Sequence, residues 1–273
     1  MYNGNAVYLC FFVCMLLSTF GNPPLSAGEP AENSITIVYN NVPGDTTVDL
    51  QVGGGFSAYI IFRQKRILFD VGGDASTLIN NIRVLDLDLS NLDAVLISHN
   101  HWDHVYGLPG IYVFVESNPG VYVPHSAKDA IAQQYPRADV LPVEEPMQIV
   151  PNVWSTGAMA VDYRGIPFSE QALVLENNDG LYVVTGCAHP GIVEIVERVR
   201  RMFPEQAIAL VAGGFHLVGK TDEQIRGISA RLQELGVKRI APSHCTGQSA
   251  MRIFEKEWGE QYLRLYLGNT YHF

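Results

Sequence analysis

Three histidines and an aspartate fall within six residues at His99-Asn100-His101-Trp102-Asp103-His104, directly after the apolar run 94–98. Imidazole nitrogens and a carboxylate oxygen are good donors to a borderline divalent ion such as zinc. If residues 94–98 form a strand, His99 and His101 stand two apart and project to one side. Asp103 and His104 then follow where the chain turns into its next element. Four donors crowded at one strand end would compete for solvation unless an ion shared them, so the run predicts a metal site and not a solvated loop. Two further places set a histidine beside a cysteine, Cys187 with His189 and Cys245 with His244, and His216 follows the pair Gly213-Gly214. His125 and His272 stand outside any such pattern and are expected to be structural or exposed.

The elements that must hold these residues are read from hydrophobic patterning. Short strands are expected at 35–39, 56–62, 66–69, 94–98, 120–123, 153–155, 172–175, 181–185, 207–211, 239–241 and 262–267, separated by Gly, Asn, Asp and Pro. Several are unbroken apolar runs, as in strands covered on both faces. Gln64 and Lys65 fall between two of them and look like a hairpin tip. Pro190 suits the first position of a helix, where a missing N–H costs nothing. Ile192, Ile195, Val196 and Val199 then recur at helical spacing as one buried stripe. Thr221 is expected to cap a further helix, with Gln224 completing a capping box. Ile225, Ile228, Leu232 and Leu235 form its apolar face, and Gly236 its stop. The triplet Gly53-Gly54-Gly55 reads equally as a flexible flap or a simple turn. The pattern as a whole predicts an α/β fold of two sheets packed face to face with helices outside, and not a strict βαβ alternation.

A chain of 273 residues with 47% hydrophobic and 17% charged content is long enough for one sizeable core. Its formal net charge of -10 lacks the basic footprint of a nucleic-acid binder, and Arg198, Arg200 and Arg201 read as a solvated helix face. Residues 1–27 contain no Lys, Arg, Asp or Glu and include a nearly unbroken apolar run from Ala6 to Phe20. That run is shorter than the roughly 20 residues of a membrane span and suits a secretory signal. The expectation is therefore a signal peptide over 1–27, a folded domain over 28–273, and an exported protein; retention of the segment would make it a membrane anchor. Cys10 and Cys14 would leave with the signal, so that Cys187 and Cys245 alone remain.

The pattern His99-x-His101-x-Asp103-His104, preceded by Ile97-Ser98 and followed by Gly107-Leu108, resembles the signature of the metallo-β-lactamase superfamily. Ile67-Leu68-Phe69-Asp70-Val71-Gly72 is similar to that superfamily's early strand, whose aspartate supports the metal loop. Three later runs narrow the resemblance: Thr185-Gly186-Cys187-Ala188-His189-Pro190-Gly191, Gly213-Gly214-Phe215-His216-Leu217 and Pro242-Ser243-His244-Cys245-Thr246-Gly247. They resemble a branch described as dihydropterin–ribofuranosyl-aminobenzene-phosphate synthase-like. The resemblance extends from about Ile35 to the C-terminus and implies a four-layer αββα sandwich. Two departures stand out. The segment 153–160 has no histidine where many members carry one, and the strand 181–185 ends in Gly-Cys-Ala-His where many place a bridging aspartate.

The resemblance implies a two-ion centre, with zinc favoured over manganese or iron. One ion would rest on His99 and His101 and the other on Asp103 and His104, with His189 and His244 completing the shells. Asp70 would accept a proton from a ligating imidazole, while Cys187 and Cys245 would be supporting residues or further ligands. Asp103 and His216 are the candidate catalytic residues, His216 serving the substrate more than the metal. The implied reaction is hydrolysis by a metal-bound hydroxide of a phosphoester or other ester-type small molecule, pterin-related compounds included. A β-lactam or lactone hydrolase and a non-catalytic metal- or ligand-binding module are the other readings. A flavodiiron-type oxidoreductase is disfavoured, because Asn100 stands where an acidic residue is needed and no flavin domain fits in the chain.

Overall fold

Strand after strand in this chain is apolar on both faces, and the architecture shows why. The computed structural model describes Met1 and residues 33–273; apart from Met1, the expected signal segment, with Cys10 and Cys14, lies outside the described residues. In chain order the strands of the first half are β1 (Ser34–Asn40), β2 (Phe56–Phe62), β3 (Lys65–Phe69), β4 (Ala94–Leu96), β5 (Gly120–Pro124) and β6 (Asp139–Val143). The second half contributes β7 (Met147–Val150), β8 (Val153–Ser155), β9 (Met159–Tyr163), β10 (Ile166–Glu170), β11 (Leu173–Asn177), β12 (Gly180–Thr185), β13 (Ile208–Gly214), β14 (Ile240–Ser243) and β15 (Thr270–His272). One sheet runs β15-β1-β2-β3-β4-β5-β6, the other β14-β13-β12-β11-β8-β7, and β9 pairs only with β10. The helices α1 (Ala75–Val84), α2 (Trp102–Val105), α3 (Leu108–Ile111) and α4 (Lys128–Gln134) belong to the first half, and α5 (Ile192–Met202), α6 (Asp222–Glu234) and α7 (Gln248–Trp258) to the second.

Three apolar clusters fill the three interfaces of four layers. Phe56, Ala58, Ile60, Phe62, Ile67 and Phe69 of the first sheet meet Leu173, Tyr182, Val184 and Leu210 of the second. The intervening residues point the other way: Tyr59, Leu68 and Val95 pack under Leu78, Ile82, Leu108 and Ile131 of the first-half helices. Likewise Leu181, Val183 and Val211 pack under Val196, Leu232 and Phe254 of α5–α7. Successive side chains of a strand face opposite sides, so a strand covered twice must be apolar throughout. This is the αββα sandwich that the patterning and the resemblance imply.

Most expected elements fall within a residue or two of their places, and the exceptions have local causes. Thr221 caps α6 in a complete capping box with Gln224, and Gly236 follows that helix at φ 77°. The hairpin between β2 and β3 turns at Arg63 and Gln64, with φ 48° and 66°, one residue earlier than expected. Two consecutive positive φ values are what a two-residue hairpin turn requires. Pro190 precedes α5 without entering it; Gly191, at φ 108°, is the cap and Ile192 the first helical residue. Residues 262–267 form isolated bridges at Tyr262 and Leu267 but no strand. In the glycine triplet Gly53 lies against Tyr39, Gly54 is exposed beside Trp102, and Gly55, at φ 143°, is buried against the Asp103 carbonyl. Among the described residues no helix is long and apolar enough to cross a membrane.

Candidate metal centre

The strand directions bring the chemistry together. β3 and β4 run parallel in one sheet, and β12, β13 and β14 run parallel in the other. Their C-terminal ends therefore lie along one edge of each sheet, and the candidate residues leave from those ends. Asp70 follows β3, His99 comes three residues after β4, Cys187 and His189 follow β12, His216 follows β13 and His244 follows β14. The two edges touch at Gly186, where an added Cβ would overlap Ser98 Oγ and lie 2.9 Å from Asp70 Oδ2. Asp70, Ala188, His216 and His244 all hold positive φ, between 49° and 60°. Non-glycine residues in this region cost about 1–3 kcal/mol each and gather where the surrounding structure holds a site in place.

His101 caps α2, so its ring leaves from an extended residue, and the single turn of helix then delivers Asp103 and His104. His104 Nδ1 lies 2.7 Å from Asp70 Oδ2. Asp70 also accepts from Ser98 N–H at 2.6 Å and from Ser98 O–H at 2.7 Å. Because that hydroxyl gives its proton to Asp70, it accepts from His99 Nδ1–H at 2.9 Å. On the other sheet, Glu170 at the end of β10 takes His189 Nδ1–H at 2.8 Å. The same carboxylate accepts from the backbone N–H groups of Cys187, Ala188 and His189 at 2.7–2.9 Å. His244 Nδ1–H donates to Asn41 Oδ1 at 2.8 Å. Four imidazoles thus have Nδ1 anchored outward and Nε2 turned inward.

Those imidazoles converge with other donors. Asp103, His104, Cys187 and His244 each bring one donor atom within 4.8 Å of the others, and so do His99, Cys187 and His189. His104 Nε2 is 3.2 Å, and His244 Nε2 3.4 Å, from Cys187 Sγ. Asp103 Oδ2 is 3.5 Å from His244 Nε2. His101 joins the second group through Nδ1, 2.9 Å from His99 Nε2. His244 falls with Asp103 and His104, and His189 with His99, which His101 adjoins. Cys187 lies in both groups. A third group of Cys187, His216 and Cys245 adjoins them, and the His216 ring centroid is 4.3 Å from that of His189. His125 and His272 lie outside these groups.

Electrostatics agree with the geometry. Burial disfavours a charged His104, yet Asp70, Asp103 and Glu170 outweigh it and raise the ring to about 9. His99 goes the other way: burial, reinforced by the neighbouring imidazoles, holds it well below 6.5 and hence neutral. Burial pushes Asp70 up, opposed by His104 and Ser98. Against their burial, Asp103 is held below the usual carboxylate range by His244 and His104, and Glu170 by His189 and backbone N–H groups. Burial and the neighbouring Cys245 raise the Cys187 thiol; Cys245 is lowered despite its burial by hydrogen bonds with Cys187 and His216. An ionised Asp103, a neutral His99, further imidazoles and a thiol form a donor set that suits a borderline cation once the His104 proton is displaced. The outward hydrogen bonds are those that fix ligand tautomers in metal sites.

Sequence reasoning missed Glu170, Asn41, Ser98 and the aromatic pair Tyr163 and Phe168. Glu170 lies between Ser169 and Gln171, with no histidine near it in sequence. Tyr163 and Phe168 belong to the β9–β10 hairpin. Their ring centroids lie 5.2 and 5.1 Å from His189, and Phe168 is 5.0 Å from His101.

Comparison with known proteins places this geometry. The model of the metallo-beta-lactamase superfamily matches residues 50–198. A 7,8-dihydropterin-6-methyl-4-(beta-D-ribofuranosyl)-aminobenzene-5'-phosphate synthase of Methanocaldococcus jannaschii is 28% identical over 251 residues, covering 77% of this chain and 85% of that protein. An uncharacterized protein of the same organism is 31% identical over 228 residues, covering 72% and 85%. Among solved structures, Tm1679, a metal-dependent hydrolase of the beta-lactamase superfamily, superposes with a TM-score of 0.72 at 28% identity, with 88% of this chain and 99% of that chain covered.

Proposed function

The chain belongs to the metallo-β-lactamase superfamily, and from that premise we propose that it hydrolyses a phosphoester or similar ester-type bond in a small molecule, working with two divalent ions. The observation that carries this reading is the set of four imidazoles anchored at Nδ1, with Nε2 turned toward Asp103, Cys187 and His101. His99, His101 and His189 would hold one ion; Asp103, His104 and His244 would hold the other, with Cys187 between them. Zinc suits the mixed N, O and S donors best, and manganese or iron would be alternatives. When bound, such ions bring water to a reactive protonation state near neutral pH and polarise the electrophile.

The chain's own residues do the rest. Asp70 orients His104 directly and His99 through the Ser98 hydroxyl, Glu170 orients His189, and Asn41 orients His244. Phe168 and Tyr163 stand against the rings of His101 and His189 and limit water on that side. His216 is the proton or hydrogen-bond donor to the departing group. Its ring lies beside His189, and its Nδ1 is buried with no hydrogen-bond partner among the described residues. The pterin-related name of the archaeal relative makes phosphorylated heterocyclic compounds the first substrates to try.

Two measurements test this. Protein purified without affinity chelation should contain more than one equivalent of transition metal and release nitrophenol from model phosphodiesters; metal-free folded protein would refute it. His101→Ala should lose both activity and tight metal retention. His216→Gln should lower turnover by about a hundred- to ten-thousand-fold at unchanged metal content. Loss of a metal equivalent in that variant would make His216 a ligand instead.

A further inference from the structure

We propose that a cavity of about 570 Å³ beside the ligand cluster binds the non-reacting part of the substrate, and that this part is an apolar group of aromatic-ring size carrying an anion. The inference rests on the hydrolase reading above, since it takes the His189–His216 end of the cavity as the reacting end. Its volume is within the range of small-molecule sites, roughly 300–1,000 Å³. His189 and His216 line one end, and Ile192, Phe215, Leu217 and Ile228 provide apolar walls. These walls come from the segments flanking β13 and from the facing sides of α5 and α6, elements already packed in the core, so the cavity is preformed.

The choice of an anion follows from which charges in the wall are already engaged. Arg231 is held by Glu197 at 2.9 Å and Glu234 at 3.1 Å. Glu194 is folded back against Gly191 at the start of its own helix. Lys220 lines the cavity and has no ion pair with a carboxylate among the described residues. An ammonium left free beside apolar walls attracts an anionic terminus, while the walls take up the body of the ligand. Gly227 marks the open space: it lines the cavity, and a Cβ added there meets nothing within 4 Å. A bulky residue at this position on α6 would enter the cavity without clashing with the fold, and Phe and Leu are both better helix formers than glycine.

Binding of two fluorescent probes tests the proposal independently of catalysis. Anilinonaphthalene sulfonate has an apolar aromatic body and an anion; phenylnaphthylamine has the body alone. The folded protein should bind both saturably. Gly227→Phe should weaken both by about tenfold or more, and Gly227→Leu repeats the measurement with a smaller side chain. Lys220→Ala should weaken the sulfonate by about threefold and leave the neutral probe unchanged. Unchanged probe affinity in Gly227→Phe and Gly227→Leu overturns the site. Equal loss of both probes in Lys220→Ala, or of neither, overturns the anion. The expected probe pattern in a protein with no hydrolytic activity overturns the hydrolase reading and leaves the binding site standing.

Discussion

At the scale of single residues, the centre is governed by what holds the far side of each imidazole. His104 is the sharpest case. With Asp70 at 2.7 Å its ring is raised to about 9 in the metal-free protein, so it carries a proton at neutral pH. Binding an ion at Nε2 requires that proton to leave. Metal uptake at pH 7.5 should therefore release about one proton from His104, and apparent metal affinity should rise with pH until it passes about 9. Calorimetric titrations in two buffers of different ionisation enthalpy measure this release. Equal heats in both would show that His104 enters the complex already neutral. Asp70→Asn should weaken metal binding by about ten- to a hundredfold.

At the scale of elements, the site depends on two sheet edges approaching more closely than side chains ordinarily permit. Gly186 is where they meet. Gly186→Ala would drive a methyl into Ser98 Oγ and toward Asp70 Oδ2, disturbing the hydrogen bonds that orient His99 and His104. The variant should fold, because the apolar clusters lie elsewhere, yet bind metal about tenfold or more weakly. Circular dichroism with a competitive chelator titration checks both parts, and unaltered affinity would show that the loop shifts at no cost. The β9–β10 hairpin is a second such device. It joins neither sheet, carries Tyr163 and Phe168 against the ligand rings, and ends at Glu170, which accepts three backbone N–H groups of the Cys187–His189 turn.

For the whole molecule, the proposed ions would tie one sheet's loops to the other's. His99, His101, Asp103 and His104 follow β4 of the first sheet, whereas Cys187, His189 and His244 follow β12 and β14 of the second. Anything that binds only the folded state stabilises it by mass action, by about 4 kcal/mol at a thousandfold excess over the dissociation constant. For a domain of this size that corresponds to about 10 °C in Tm. Chelation should lower Tm by about that amount, and readdition of zinc should restore it. No shift, in protein shown to have lost its metal, would mean that the apolar interfaces alone set the stability and that the ions add no tie.

The run of candidate donors from His99 to His104 was legible without coordinates, because these donors are adjacent in sequence at a strand end followed by one helical turn. The four-layer sandwich was legible for a related reason: strands covered on both faces must be apolar at every position, and the capping box at Thr221 with Gly236 declares its helix locally. Residues such as Glu170 and Asn41 were not legible. Each is a polar residue with no motif around it, whose meaning lies in a partner elsewhere in the chain, His189 for one and His244 for the other. The division of ligands between two groups, the central place of Cys187 and the cavity walled by α5 and α6 are likewise products of packing. Sequence patterns record what neighbouring residues do to one another and which faces must be buried; which strand ends meet across two sheets is decided only when the sheets pack.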